Sequence, residues 1–294
     1  MNVIVLVDKP AGITSAEVVR RIKAIVKPDR VGHLGTLDPF ATGLLPIMIG
    51  EATKLAPFIE GGDKEYEGTI RLGVETDTLD REGDEVATGA IPEIEKGQLE
   101  DIAARFTGEI EQVPPVFSAI KREGVPLYKR ARRGEEVEPP PPRTVIIKSL
   151  ALTLVADDTI AFKLICGTGT YARSLARDIA LALGTVGHLY SLRRTRNGNF
   201  SIDEAAPIDA VVAALREGSN LKSVSLCDAL ADMPTVRIDA AIEKRLRNGD
   251  SRALDSLVPP EGGPFRVMDG SDNLIAVARP TSRVTAVIER IFNV

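Results

Sequence analysis

The 294 residues carry 44% hydrophobic and 27% charged side chains and a formal net charge of −5, a balance that excludes wholesale disorder. The length points to two unequal domains, or one large domain with an appendage. No apolar run approaches the roughly 18 residues of a membrane-spanning helix, and two cysteines with two histidines exclude a disulfide framework and argue against a zinc site.

Residues 2–7 are β-branched and continuous, which predicts a buried first strand rather than a signal peptide. Thr14 followed by Glu17 fits a capping box, and Val18, Val19, Ile22, Ile25 and Val26 recur at helical spacing up to Pro28. Four glycines and two prolines in 31–50 predict turns and short strands. Lys64–Val74 reads as a strand, 77–84 as an acidic loop, and Ile94–Phe106 as an amphipathic helix. Residues 112–143 are predicted irregular, opened by Pro114-Pro115 and closed by four prolines; a loop of that length inside a domain is expected to be functional or mobile. Val145–Val155 and Thr159–Cys166 form a hairpin around Asp157-Asp158, followed by a helix at Tyr171–Leu183 and a strand at Val186–Arg196. The segment Pro207–Leu230 reads as helical with breaks. From Pro234 the pattern is a short strand, a helix near Ala240–Arg247, and strands at 265–268, 274–278 and 284–290. Without a regular βα alternation, the expected class is α+β: a mixed, largely antiparallel sheet in residues 1–230 and a small β-rich domain in 235–294.

The charge is unevenly placed. Residues 118–148 hold eight Lys or Arg against four Glu, and Arg193, Arg194 and Arg196 follow one another without an acid. Such segments either bind a polyanion locally or form a solvated charged face. Asp38 precedes Pro39 in Gly32-His33-Leu34-Gly35-Thr36-Leu37-Asp38-Pro39-Phe40-Ala41-Thr42-Gly43, so it is held extended in a stiff, glycine-flanked loop. Gly-Lys-Ser/Thr is absent, so this is not a phosphate loop.

GHLGTLDPFATGLLPI resembles the catalytic-loop signature of the bacterial tRNA pseudouridine-55 synthase family. Segments 8–23, 64–84, 114–134, 169–180 and 188–194 resemble the same family in the same order, covering roughly 2–205; Leu34 and Ala172 depart from its usual residues. The resemblance implies conversion of uridine to pseudouridine in the T-loop of tRNA, without cofactor or metal. It implies Asp38 as the catalytic carboxylate, attacking C1′ or abstracting the C2′ proton, with Arg173 as its fork-shaped partner and Tyr66 as the active-site tyrosine. Leu192 is expected to line the uracil pocket, Lys64 to bind substrate, and His33 to take part in base flipping. The segment 114–142 is expected to clamp the RNA, Lys129, Arg130, Arg132 and Arg133 supplying phosphate contacts. The C-terminal domain corresponds in position to a PUA-like RNA-binding domain. A cytoplasmic monomer without protein partner is implied. The rivals are a sibling synthase acting on another RNA, a tRNA-folding protein with secondary catalysis and, more weakly, a small-molecule isomerase.

Overall fold

The computed structural model describes every residue except 28, 29, 119, 123, 132, 136, 220, 251, 256, 284 and 294. Arg132, expected to contact RNA, therefore lies outside the described residues, as do Pro28 and Val284. The first third contains β1 (Val3–Lys9), α1 (Ser15–Val26), β2 (Val31–His33), β3 (Thr42–Ile49), α2 (Ala56–Ile59), β4 (Lys64–Leu72), β5 (Val74–Thr76), β6 (Glu85–Thr88) and α3 (Gln98–Arg105). Next come β7 (Gly108–Gln112), β8 (Lys121–Arg122), β9 (Val125–Pro126), α4 (Leu127–Ala131), β10 (Arg143–Ala156), β11 (Thr159–Cys166), α5 (Ala172–Ala182) and β12 (Gly187–Asn197). The last third holds β13 (Phe200–Ser201), β14 (Ala206–Pro207), α6 (Ile208–Glu217), β15 (Thr235–Arg237), α7 (Ala240–Arg247), β16 (Phe265–Met268), β17 (Leu274–Pro280) and β18 (Ala286–Ile291).

The large sheet runs β14-β1-β3-β12-β4-β11-β10-β7, with β2 on β3 and β13 on β12. Only β1–β14 and β3–β12 are parallel within it. A second sheet, β15-β16-β17-β18, follows in the C-terminal part. The α+β class with a mixed, largely antiparallel sheet is thus the observed one. Among the described residues no helix is long and apolar enough to cross a membrane.

The unbroken apolar run of β1 has a simple cause: both faces of the strand are covered. Val5 and Val7 pack with Val18, Ile22 and Val211 from α1 and α6. Ile4 and Leu6 point the other way, into a cluster holding Leu44, Met48, Met268, Leu274, Val277 and Phe292. The C-terminal sheet therefore shares a core with the large sheet, and the chain end is fastened there. Lys54 donates to the Ile291 carbonyl at 2.9 Å, and the Asn293 N–H donates to Glu51 at 2.8 Å.

Local signals are met with three differences. Thr14 accepts from the Glu17 N–H at 3.0 Å, but the Glu17 carboxylate turns to Arg20 and Arg21 rather than back to the cap. The helix expected from Ile94 begins at Gln98, because Gly97 in front of it is left-handed at φ +89°. Within 112–143, read as irregular, the chain forms the β8–β9 pair and the single turn α4.

The shared core makes a stability prediction. Phe292→Ala empties a fully buried site in that cluster and is expected to lower the unfolding free energy by about 3–5 kcal/mol. Denaturant melts followed on both sheets check it, and the two should shift together.

Candidate active site

The loop joining β2 to β3 is fastened to the residues that follow β1. The ammonium of Lys9, fully buried, donates to the carbonyls of Pro10 at 2.9 Å, Ile13 at 2.8 Å and Pro39 at 3.1 Å. Gly12 donates its N–H to the same Pro39 carbonyl at 2.9 Å. Ser15 Oγ both donates to the Leu37 carbonyl and accepts from the Leu37 N–H, each at 2.9 Å. Asp38 is thus held between two residues whose backbone is fixed. Burial lowers the Lys9 pKa to about 8, partly opposed by the charges of Asp38 and Glu82.

Arg173, in the first turn of α5, closes the site from the opposite side. Its Nε meets Asp38 Oδ2 at 3.0 Å and its Nη2 meets Oδ1 at 3.3 Å, a two-pronged contact. Nη2 also donates to the Phe117 carbonyl at 2.9 Å; Nη1 donates to the Thr78 carbonyl at 3.0 Å and pairs with Asp80 at 3.5 Å. Each of the three guanidinium nitrogens thereby has an acceptor oxygen within 3.5 Å. Asp80 is itself oriented by the Thr78 hydroxyl at 2.8 Å and the Glu82 N–H at 3.0 Å. The Arg173 side chain is only 7% exposed, whereas that of Asp38 keeps 33%, so the carboxylate is the part a substrate can reach. Loss of water raises the Asp38 pKa, Arg173 pulls it back, Asp80 raises it again and Lys9 lowers it; the net direction is upward.

Tyr66 on β4 lies in the same apolar cluster as Leu37, Phe40 and Leu192. Burial raises its phenol pKa, with Arg194 opposing, so the hydroxyl is neutral at pH 7. Leu192 stands opposite Gly68 across the β12–β4 ladder. With Phe40, Thr42, Ser191 and Arg81 these two residues border a cleft of about 330 Å³ where β12 and β3 part. The Arg81 guanidinium sits 5.7 Å from the Phe40 ring.

The three arginines near the end of β12 do not form one basic patch: alternation along the strand separates Arg193 from Arg194, and a bulge in the β12–β4 ladder between Arg194 and Arg196 takes Arg196 off the face of Arg194. Arg194 is fully buried and donates to the Leu44 carbonyl at 2.8 Å and the Gly35 carbonyl at 2.9 Å. Arg193 pairs with Asp8 at 2.7 Å, and Arg196 is exposed. His33 and Lys64 are half-buried near Arg194; burial and then its charge lower both pKa values. His33 Nδ1 has no hydrogen-bond partner among the described residues.

Asp38, Arg173, Tyr66 and Leu192, singled out from sequence, are therefore brought together. The described basic residues of the 114–142 segment are not. Lys129 and Arg133 are exposed, and Arg130 and Arg133 lie 2.8 and 3.7 Å from Glu135 of the same segment. Among the described residues of the segment, its root reaches the site through the Phe117 carbonyl. Sequence reasoning assigned no role to Lys9 or Asp80, and it read Arg194 as part of a basic run, either polyanion-binding or solvated, whereas it is fully buried. Lys9 had a faint signal, a lysine closing an apolar strand just before Pro-Ala-Gly; Asp80 was one acid among several in its loop.

The loop carboxylate, the arginine that forks it and the buried tyrosine stand together as the resemblance in sequence implies. Residues 23–172 match the TruB family pseudouridylate synthase N-terminal domain, and residues 173–236 the tRNA pseudouridylate synthase B C-terminal domain. The chain is 42% identical over 287 residues to tRNA pseudouridine synthase B of Burkholderia mallei (strain NCTC 10247), covering 96% of this chain and 94% of that protein. It is 45% identical over 238 residues to the protein of the same name from Aromatoleum aromaticum, covering 81% and 76%. In structure it is similar to a chain of a Cbf5-Nop10-Gar1 complex, with a TM-score of 0.73 at 24% identity over 98% of this chain and 84% of the other. The chain belongs to the TruB family of pseudouridylate synthases.

The electrostatics can be checked without an activity assay. Arg173→Gln removes the nearest positive charge, so the Asp38 pKa, already above the ordinary value, is expected to rise further. The carboxyl ¹³C resonance of Asp38, titrated in both proteins, should show its midpoint at higher pH in the variant.

Proposed function

We propose that this enzyme isomerises uridine to pseudouridine at position 55, in the T-loop of tRNA, acting in the cytoplasm as a monomer without a protein partner. The observation that carries the proposal is the Asp38 carboxylate, partly open to a substrate, gripped by Arg173 on a loop that Lys9 and Ser15 hold still. The reaction breaks the N1–C1′ bond, turns the freed uracil and rejoins it through C5, with no net redox change. Asp38 either attacks C1′ or abstracts the C2′ proton to leave a glycal, and both routes require the ionised carboxylate. Arg173 aims that carboxylate and offsets its desolvation, while Asp80 steadies the far side of the guanidinium. The neutral Tyr66 hydroxyl serves where the C5 proton leaves, and Leu192 and Phe40 form the apolar wall for the base.

A base stacked in the T-loop must be extruded first, and His33, neutral with a free ring nitrogen, is assigned to the space it vacates, with Lys64 nearby as a substrate contact. In this reading residues 1–230 are catalytic, 235–294 are an RNA-binding appendage, and 114–142 clamps the substrate. Lys129, Arg130, Arg132 and Arg133 then meet phosphates, those paired with Glu135 exchanging it for the RNA.

Purified protein alone, incubated with unmodified tRNA transcript, should place pseudouridine at position 55; modification elsewhere, or a requirement for a second protein, would overturn the proposal. Asp38→Asn keeps size and hydrogen bonding but can act as neither nucleophile nor base. It should abolish product in a single-turnover assay while tRNA affinity stays within a few-fold of wild type. Replacing Lys129, Arg130 and Arg133 together by alanine should weaken binding and flatten its salt dependence, each lost phosphate contact reducing the slope of log affinity against log salt by about 0.7–0.9. Filter binding across a salt series measures it, and turnover at saturating RNA should fall less than affinity.

A further inference from the structure

We infer that Gln112 is a positioning residue for the reaction, its side-chain amide fixing the start of α5 and hence the place of Arg173 at Asp38. Gln112 ends β7, where the 114–142 segment leaves the sheet, and it is fully buried. Its Oε1 accepts from the Tyr171 N–H at 2.8 Å, and its Nε2 donates to the Tyr171 carbonyl at 3.1 Å. The amide thus pairs with both backbone groups of one residue. Tyr171 caps α5, two residues before Arg173, and its own side chain makes no capping hydrogen bond. The Gln112 Oε1 therefore satisfies an N–H at the helix start left without an intrahelical partner.

Neighbouring contacts converge on the same place. The register partner of Gln112 is Arg143, where the segment returns to the sheet. The Arg143 guanidinium lies 4.7 Å from the Tyr171 ring and donates to the Gly169 carbonyl. Ser174 Oγ donates to the Val113 carbonyl at 2.7 Å, and Phe117 accepts from Arg173 itself. The two strand residues flanking the clamp segment both grip Tyr171, so a pull on that segment by bound RNA reaches Arg173 through two or three stiff contacts.

The inference rests on Asp38 and Arg173 being the catalytic pair. The charged and titratable groups around Asp38 are Arg173 from α5, Asp80 from the 77–84 loop, Lys9 from the end of β1 and Tyr66 from β4. Of these, Arg173 alone is held through Tyr171. Gln112→Met keeps the volume of the side chain and removes both hydrogen bonds. Its kcat is expected to fall about ten- to a hundredfold, the effect of a small misplacement of a reacting group, with KM for tRNA within a few-fold. The acid limb of the kcat–pH profile should move to higher pH as Arg173 slackens its hold on Asp38. An unchanged kcat, or a lower kcat with an unmoved acid limb, would overturn the inference and leave Gln112 a structural brace. If the methionine variant does not fold by circular dichroism, Ser174→Ala, which cuts the adjoining tie, is read on the same two measurements. A smaller change in the same directions supports the inference, and no change overturns it. Retained turnover in Asp38→Asn would instead remove the catalytic pair, whereas its loss beside an unaltered Gln112→Met enzyme would remove only the role of Gln112.

Discussion

A guanidinium buried to 7% exposure is tolerable only if its donors are all answered, since an uncompensated buried charge costs several kcal/mol. Arg173 meets that condition with acceptors from three separate stretches of chain: the Asp38 loop, the 77–84 loop and the root of the 114–142 segment. None of these is regular secondary structure. Their mutual placement follows from the need to satisfy one side chain on α5, and removing any of them leaves a donor stranded away from water. With Lys9 and Asp80, the buried group carries two positive and two negative charges. Asp38, the most exposed of the four, is the member left facing a substrate.

The same economy governs the loop that bears Asp38. A carboxylate on a mobile loop would have to be ordered at each turnover, whereas the contacts from Lys9, Gly12 and Ser15 have ordered it during folding. Arg194 and Asn197 do the equivalent at the other end, holding the carbonyls of Gly35, Leu44 and Leu34. Gly43 lets β3 pass close enough to β12 for this. A Cβ there would stand 2.3 Å from the Arg194 carbonyl oxygen, and its φ of +99° suits only glycine. Basic residues that look like an RNA-binding stretch are thus partly spent on architecture, and exposure is what separates Arg196 from Arg194.

Beneath the site, β1 and β3 bury both faces. One face is covered by α1 and α6, the other by residues of the C-terminal sheet, so the platform carrying the Asp38 loop depends on a part of the chain that contributes none of the residues gathered around Asp38. The second family match stops at residue 236, where that sheet begins. Its contribution to the core is nonetheless direct, through Met268, Leu274, Val277 and Phe292.

Local chemistry was legible in the sequence. The strands and most helices follow from apolar periodicity, the α1 cap from Thr14, the hairpin from Asp157-Asp158, and the proximity of Asp38, Tyr66 and Arg173 from the motifs that contain them. Those features depend on residues within a few positions of one another or on a resemblance carried by contiguous stretches. The contacts of Lys9, Asp80 and Gln112 were not legible, because each meets a partner far along the chain: Pro39 for Lys9, Arg173 for Asp80, Tyr171 for Gln112. Nor does a run of arginines say which is inward, or an acidic loop which carboxylate turns toward a cation. The sequence by itself determined which chemical groups are present and the local conformations they favour. Only the tertiary structure decided which of them lose their water together, and that shared desolvation makes a pair of charges into a site.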